Sequence, residues 1–452
     1  MISNYFKIFN CQVHNSIFVS PMAAKIIDTR EFQRLRHIKQ LGLCHFVYPA
    51  ATHSRFEHSL GVYHLTAKML EKIVQQYPNR KYHVPDFGDE PISLTDKMIE
   101  CIKIAGLCHD IGHGPFSHIF DDELLKNSVH PNRKHETRSC LITEIICKRE
   151  LSSDLDDVHI KFISSIINPS NHGAIYQIVS NQLNGVDVDK FDYLVRDSKN
   201  LGLSISFNFN RLITDFIVDE NENIAYPKIC SLDIYEMFHS RYIMHKKVYS
   251  HKTVKLLELM LCDIFIKIDP FLEISKSIDD MEKFCKLTDE SIFNYIQTMI
   301  KPPPFLEIKL DSTQYQHIIE ANEIYQNIIT RNLYQQVFKI ITSGDAGTFK
   351  DYSVTGVLEQ LLSDHPEFNK DDFIISKVKI GLLTGNIPEA FSKIFFYHKK
   401  RDNTFTIGPP HISSFLTHYT EDISWQIICK KKSDYDIIMN EMKKYEYLIN
   451  FV

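Results

Sequence analysis

Apolar residues recur three and four positions apart through most of this chain, and that spacing predicts helices for the greater part of its length. The clearest run is 54–77, where Phe56, Leu60, Tyr63, Ala67, Leu70, Val74 and Tyr77 mark one buried face of a long helix. His58 falls on a second stripe with Val62, Leu65 and Met69, so it faces an interior, either as a hydrogen-bonded core histidine or as a ligand. A further helix starts near Ser93–Asp96 and carries Met98, Ile99, Ile102, Ala105 and Leu107 into Cys108-His109-Asp110-Ile111-Gly112-His113. Upstream, Asp28-Thr29-Arg30-Glu31 reads as a cap, with Phe32 to Gln40 helical up to Gly42 and Gln33, Arg36 and Gln40 on one polar face. Residues 116–160 are mostly helical in pattern around a loop at 127–134. In the next run Asp189, Tyr193 and Asp197 stand four apart, opposite an apolar face of Val188, Phe191 and Val195. Helices are also expected at 234–269, at 314–342 and from Asp434 onward.

Alternation of period two is rarer. It predicts a small hairpin within 7–19, strands at 373–382 and 424–430, and a hairpin joining 394–397 to 404–407 across Arg401-Asp402-Asn403. Pro302-Pro303-Pro304 reads as a linker or rigid bend. The expected fold is therefore mainly α, with an all-helical core over residues 1–300 and a smaller α+β lobe over 301–452.

Composition narrows the class without naming a function. The 452 residues are 44% hydrophobic and 24% charged with a net charge of -6, an ordinary globular balance that gives no general attraction to nucleic acid or anionic membrane. Ten cysteines are scattered without a CxxC pair, as reduced core thiols would be. The N-terminus lacks a signal-peptide layout and no apolar run reaches the roughly 18 residues of a membrane helix, so a soluble protein of the cytoplasm or nucleus is expected.

The candidate chemistry centres on His109-Asp110. Alone, the pair is as readily a helix cap and a surface residue as a metal site. With His58 and Asp189 it becomes a nitrogen and oxygen donor set suited to Fe, Mn or Zn, while carboxylates also suit Mg. Five ordered strings carry a resemblance: Asp28-Thr29-x-x-Phe32-Gln-Arg-Leu-Arg36, Ile38-Lys-Gln-Leu-Gly42, Arg55-Phe-Glu-His-Ser-Leu-Gly-Val62, Leu107-Cys-His-Asp-x-Gly-His-Gly-Pro-Phe-Ser-His118 and Asp187-Val-Asp-Lys-x-Asp-Tyr193. Together they resemble the catalytic domain of the sterile-alpha-motif and HD-domain deoxynucleoside triphosphate triphosphohydrolases. The likeness is strongest over 7–260, thins towards Tyr334 and is faint beyond; the chain starts almost at the HD domain, with no sterile-alpha-motif domain before it.

The resemblance implies an HD-domain helical core and a metal held by His58, His109, Asp110 and Asp189. It implies a catalytic and phosphate-contacting group of His113, His118, Asp121 and His135, with His118 and His135 as candidates for proton transfer. Arg55, Lys190 and Arg241 would hold the triphosphate, and Gln40, Leu41, Tyr193, Asp197 and Tyr249 the sugar and base, with His245 near them. The metal would polarise a phosphoryl oxygen and the cationic side chains would add charge-assisted hydrogen bonds. The implied reaction converts a deoxynucleoside triphosphate into deoxynucleoside and inorganic triphosphate, with Tyr193 crowding a 2′-hydroxyl.

The resemblance also implies activation by GTP and a deoxynucleotide in a homo-oligomer, a dimer or tetramer. Lys7, Asp28, Gln33 and Arg36 match the guanine-nucleotide site, and Asn10, Val47, Arg211, His251, Lys252 and Arg331 match parts of its deoxynucleotide neighbour. Two departures stand out: Gln335 occupies an expected lysine position, and no second lysine is placed in 404–409. Three rivals remain at this point. One is another HD-domain nucleotidase or phosphodiesterase; the second is a single-stranded nucleic-acid binder or nuclease using Lys399-Lys400-Arg401 and Lys430-Lys431-Lys432; the third is a non-enzymatic scaffold.

Overall fold

The computed structural model describes residues 7–304, 309–343, 352–381, 390–398, 403–408 and 421–444. By packing they divide into two units. The first comprises the described residues within 1–241, 273–295 and 386–413, and the second those within 242–272, 296–385 and 414–452, so the units interleave along the chain and do not meet at one cut near residue 300.

The first unit is mainly helical. Its central helix, Arg55–Gln76, starts at a capping box in which Ser54 and Glu57 satisfy each other's backbone N–H groups. It packs on Asp96–Cys108, capped by Thr95, and on Val188–Asn200, capped by Asp187. Asp96–Cys108 packs in turn on Asp157–Ile167, and that helix on His135–Glu150. The central crossing is close: a Cβ at Gly106 would lie 2.5 Å from Thr66 Oγ1. Strands Lys7–Cys11 and Asn15–Val19 form the expected N-terminal hairpin. A four-stranded sheet joins Thr404–Thr406, Phe395–Tyr397, Ile224–Pro227 and Ile217–Val218 in that order, with Phe395–Tyr397 parallel to Ile224–Pro227. The pairing of 395–397 with 404–406 was expected; the two strands before residue 230 were not.

In the second unit, helices Lys252–Leu272 and Ser312–Ile329 pack together. An antiparallel sheet places Glu421–Cys429 between Gln335–Ser343 and Phe373–Gly381. Helices Tyr352–Asp364 and Tyr435–Met442 supply Val354, Val357, Leu361 and Ile438 to a core shared with Val337 and Ile427. This is the α+β lobe expected from the later sequence.

Three helical expectations are corrected. Phe32–Gln40 is not one helix: a short Arg30–Gln33 turn continues as a tighter turn over Arg34–His37 and ends at Ile38. There the backbone turns to pair with the start of the central helix, Arg55 N donating to Ile38 O and Gln40 N to His53 O, both at 3.0 Å. The 234–269 helix is broken by a wide turn at His245–Tyr249, between Ser231–Met244 and Lys252–Leu272. The 314–342 helix stops at Ile329, because Arg331 takes a left-handed φ of 64° and Gln335–Ser343 enters the sheet. Leu382 and Arg401-Asp402 lie outside the described residues. No helix among the described residues is long and apolar enough to cross a membrane.

Candidate metal centre and catalytic pocket

Four donors converge in the first unit. His58 lies in the first turn of Arg55–Gln76, His109 and Asp110 follow the end of Asp96–Cys108, and Asp189 lies in the first turn of Val188–Asn200. His58 Nε2 stands 3.0 Å from Asp189 Oδ1 and 3.5 Å from Asp110 Oδ2, while His109 Nε2 stands 3.4 Å from Asp110 Oδ1 and 3.5 Å from Asp189 Oδ1. Metal–ligand bonds of roughly 2.0–2.2 Å leave neighbouring donors about 3 Å apart, so these spacings suit one cation.

The donors are also prepared for it. His109 Nδ1 lies 2.9 Å from Gly106 O and His58 Nδ1 2.8 Å from Asp192 Oδ2, contacts that leave each Nε2 as the free lone pair. Both Nε2 atoms are buried without a hydrogen-bond partner. Burial opposes charge on His58, but the Asp189 and Asp192 carboxylates outweigh it and raise its pKa to about 10. The same negative potential favours a metal cation, which would take the place of that proton on Nε2. His58, His109 and Asp110 qualify as a metal-holding group on geometry alone.

Beside this cluster is the histidine group. His113 Nε2 lies 3.4 Å from Asp110 Oδ1, the His113 ring stacks on His135, and His118 meets His113 edge-on at 5.3 Å. Asp121 Oδ2 accepts from both the backbone N–H and Nδ1 of His135 at 3.0 Å, and its other oxygen pairs with Arg138. His118 keeps an exposed edge, yet crowding and the cationic Arg55 and His135 hold its pKa down.

The loop bearing these histidines is held by groups that sequence reading had not singled out. Buried Arg34 donates to Ile111 O and His113 O, and buried Arg138 donates to Gly112 O. Phe116 and Ser117 both adopt a left-handed φ of 58°, a strained pair for non-glycine residues. Asp289 holds that turn by accepting from Phe116 N at 2.7 Å and Lys39 N at 2.9 Å. Their local sequence carries no signal for these anchors, and for Asp289 the partner Phe116 lies 173 residues away.

Of the expected substrate group, Arg55 pairs with Asp110 and donates from Nε to Ser117 Oγ at 2.9 Å. Lys190 Nζ is 3.1 Å from Asp187 Oδ2, and Tyr193 lies in the fields of Lys190 and Arg241. Asp197 Oδ1 is 2.8 Å from His53 Nε2, and His53 O accepts from Gln40 N, so Gln40, His53 and Asp197 form one cluster. Gln40 Oε1 and His53 Nδ1 are both buried without a hydrogen-bond partner. Leu41 is half-buried ahead of the Gly42–Phe46 turn. His245 and Tyr249 belong to the second unit, where their rings meet edge-on at 4.8 Å.

Among the expected activator residues, Lys7 pairs with Asp28, and Arg36 Nε donates to Gln33 Oε1 at 2.8 Å. The Arg36 guanidinium lies 3.6 Å from the Phe56 ring centre, beside a cavity of about 490 Å³ lined by Phe9, Asn10, Cys11 and Gln12. Val47 is half-buried, and Arg211 pairs with Asp233 at 3.2 Å. His251, Lys252 and Arg331 are in the second unit. Of the basic patches, Lys430 pairs with Asp263 at 2.8 Å and Lys431 with Asp372 at 2.6 Å, which removes much of that patch's free charge. Lys399-Lys400-Arg401 lies outside the described residues.

Comparison with known proteins adds an independent line. Residues 55–197 match the family model described as HD domain. The chain is 54% identical over 444 residues to the putative HD domain-containing protein L394 of Acanthamoeba polyphaga mimivirus, covering 98% of this chain and 96% of that one. It is 33% identical to the deoxynucleoside triphosphate triphosphohydrolase SAMHD1 homolog of Dictyostelium discoideum, covering 97% and 80% of the two chains. It is 31% identical to deoxynucleoside triphosphate triphosphohydrolase SAMHD1 of Homo sapiens, over 94% and 70%.

Proposed function

This chain belongs to the HD-domain deoxynucleoside triphosphate triphosphohydrolase family, and we propose that it hydrolyses deoxynucleoside triphosphates to deoxynucleoside and inorganic triphosphate. The observation that carries the reading is the position of Asp110, one of the four donors, which lies 3.5 Å from His58 Nε2 through one oxygen and 3.4 Å from His113 Nε2 through the other. Metal-type donors and an acid–base group thus stand side by side.

A divalent cation held by His58, His109, Asp110 and Asp189 would supply Lewis-acid polarisation of a phosphoryl oxygen. Two imidazoles in that set favour Fe, Mn or Zn over Mg. The remaining roles belong to the chain. Arg55, Lys190 and Arg241 bind the triphosphate, with Lys190 shared between substrate and Asp187. Water adds at the α-phosphorus, the bond from phosphorus to O5′ breaks, and O5′ takes a proton as the deoxynucleoside leaves. His135, the charged member because Asp121 faces it, supplies that proton, and neutral His118 takes the one that the attacking water loses. Gln40 and Asp197 hold the 3′-hydroxyl, and Tyr193 excludes a 2′-hydroxyl by contact.

We further propose that activation by GTP and a deoxynucleotide persists in altered form, within a homodimer or tetramer. The clustering of Lys7 with Asp28 and of Gln33 with Arg36 supports a guanine-nucleotide site. Gln335 in place of a lysine removes a charged contact of about 1.5–3 kcal/mol from its neighbour. The test is chromatography of products from each deoxynucleotide and ribonucleotide, with GTP and a second deoxynucleotide added separately. Triphosphate release supports the reaction, orthophosphate release overturns it, and full turnover of one deoxynucleotide without activator overturns the regulation.

A further inference from the structure

Behind the donor cluster lies a carboxylate that the chemistry above leaves unused. Asp192 is fully buried, one turn after Asp189. Its Oδ2 accepts from His58 Nδ1 at 2.8 Å and from Arg196 Nε at 2.7 Å. Its Oδ1 accepts from His14 Nε2 at 2.6 Å and from Arg196 Nη2 at 2.9 Å. Four donors from three elements therefore converge on one side chain: the central helix, its own helix, and the turn of the N-terminal hairpin.

The surroundings are shaped for that carboxylate. A Cβ at Gly61 would lie 1.9 Å from Asp192 Oδ1 and 2.5 Å from Arg196 Nη2, so the central helix must present a bare backbone where the carboxylate packs. A buried carboxylate with fewer partners would be strongly destabilising, and this one has all its near positions filled. The hairpin is tied in twice, because Arg196 Nη2 also donates to Cys11 Sγ at 3.4 Å.

The consequence concerns His58. A ring that donates from Nδ1 to Asp192 presents an unprotonated Nε2 to the cluster, the form that a metal ligand needs. We propose that Asp192 is a positioning residue of the metal centre, fixing the tautomer and ring plane of His58, and that His14 makes this hold depend on the N-terminal hairpin. The proposal rests on the reading of His58 as a metal ligand. It also joins the strand that carries Lys7 and Asn10, assigned above to activator binding, to the catalytic centre through His14 and Cys11. An activator that shifts the hairpin would then alter how firmly His58 is held.

The test compares Asp192→Asn, His14→Ala, His14→Gln and His109→Ala with the wild-type full chain. Two quantities are read: the Mn²⁺ dissociation constant by chelator competition, and the visible spectrum of the Co²⁺-loaded protein, which reports ligand geometry. Circular dichroism checks folding. The expected results are loss of tight binding in His109→Ala, a roughly 10- to 100-fold weaker dissociation constant with shifted Co²⁺ bands in Asp192→Asn, and a smaller weakening in His14→Ala. His14→Gln, which restores a donor to Asp192, should recover both readouts. Wild-type metal affinity in His109→Ala overturns the ligand reading itself. Loss in His109→Ala alongside wild-type affinity and spectrum in a folded Asp192→Asn overturns this proposal alone. Should Asp192→Asn fail to fold, the histidine pair decides: identical affinity and spectrum in wild type, His14→Ala and His14→Gln overturn it.

Discussion

The imidazoles of His113 and His135 stack with ring centroids 3.8 Å apart and planes inclined by 21°. Two imidazolium rings so placed would repel, and the site gives them opposite tendencies. Burial, Arg55 and His135 itself push the His113 pKa well down. Burial also opposes charge on His135, but the hydrogen bond to Asp121 and nearby carboxylates outweigh it and raise its pKa. His135 is thus the ring that stays protonated to higher pH.

Asp121→Asn should reveal this. A raised histidine pKa means that the charged form is complete at low pH and lost as pH rises through the raised value. Removing the Asp121 charge lowers that value, so the alkaline limb of kcat/KM should move to lower pH. An unmoved limb in pH–rate profiles would remove His135 from proton transfer. His135→Ala should lower kcat by about 10²- to 10⁴-fold.

Arg55→Lys keeps the charge but not the fork that reaches Asp110 and Ser117 together. Loss of one charge-assisted bond of about 1.5–3 kcal/mol predicts a drop in kcat/KM of about ten- to a hundredfold. Steady-state kinetics at wild-type level would show that the fork is dispensable.

Tyr193→Ala should relax sugar selection. Removing a contact that crowds one hydroxyl is worth about tenfold or more in discrimination. The ratio of kcat/KM for dGTP over GTP as substrates should fall accordingly, and an unchanged ratio would place sugar selection elsewhere.

Asp289→Ala leaves Phe116 N and Lys39 N without their acceptor and should cost about 2–4 kcal/mol of stability. Burial raises the Asp289 pKa to about 6 from 3.8, so this group binds its proton more tightly in the folded state. Its contribution is therefore greatest below the unfolded value and declines as pH rises towards 6. Denaturant unfolding of the two proteins between pH 4.5 and 7.5 should show the gap narrowing with rising pH; a widening gap would contradict the sign.

Much of this was legible from local pattern. The apolar steps from Phe56 to Leu70 marked the central helix, and the stripe through Val62, Leu65 and Met69 turned His58 inward. What escaped was decided by long-range backbone pairing: Ile38 leaves its helix to meet Arg55, and Gln335–Ser343 becomes a strand only because Glu421–Cys429 lies beside it. The donor types at His58, His109, Asp110 and Asp189 could be read singly, but their convergence needed the crossing of three helices. The supports Arg34, Arg138, Asp192 and Asp289 were hidden because each acts on a residue from another part of the fold.

The most direct measurement is hydrolysis of a deoxynucleoside triphosphate by the metal-loaded protein in ¹⁸O-water, with the products followed by ³¹P nuclear magnetic resonance and mass spectrometry. The proposed reaction places one ¹⁸O in inorganic triphosphate and none in the deoxynucleoside, and His109→Ala abolishes turnover. Label in orthophosphate or in the deoxynucleoside, or undiminished turnover by His109→Ala, would contradict it.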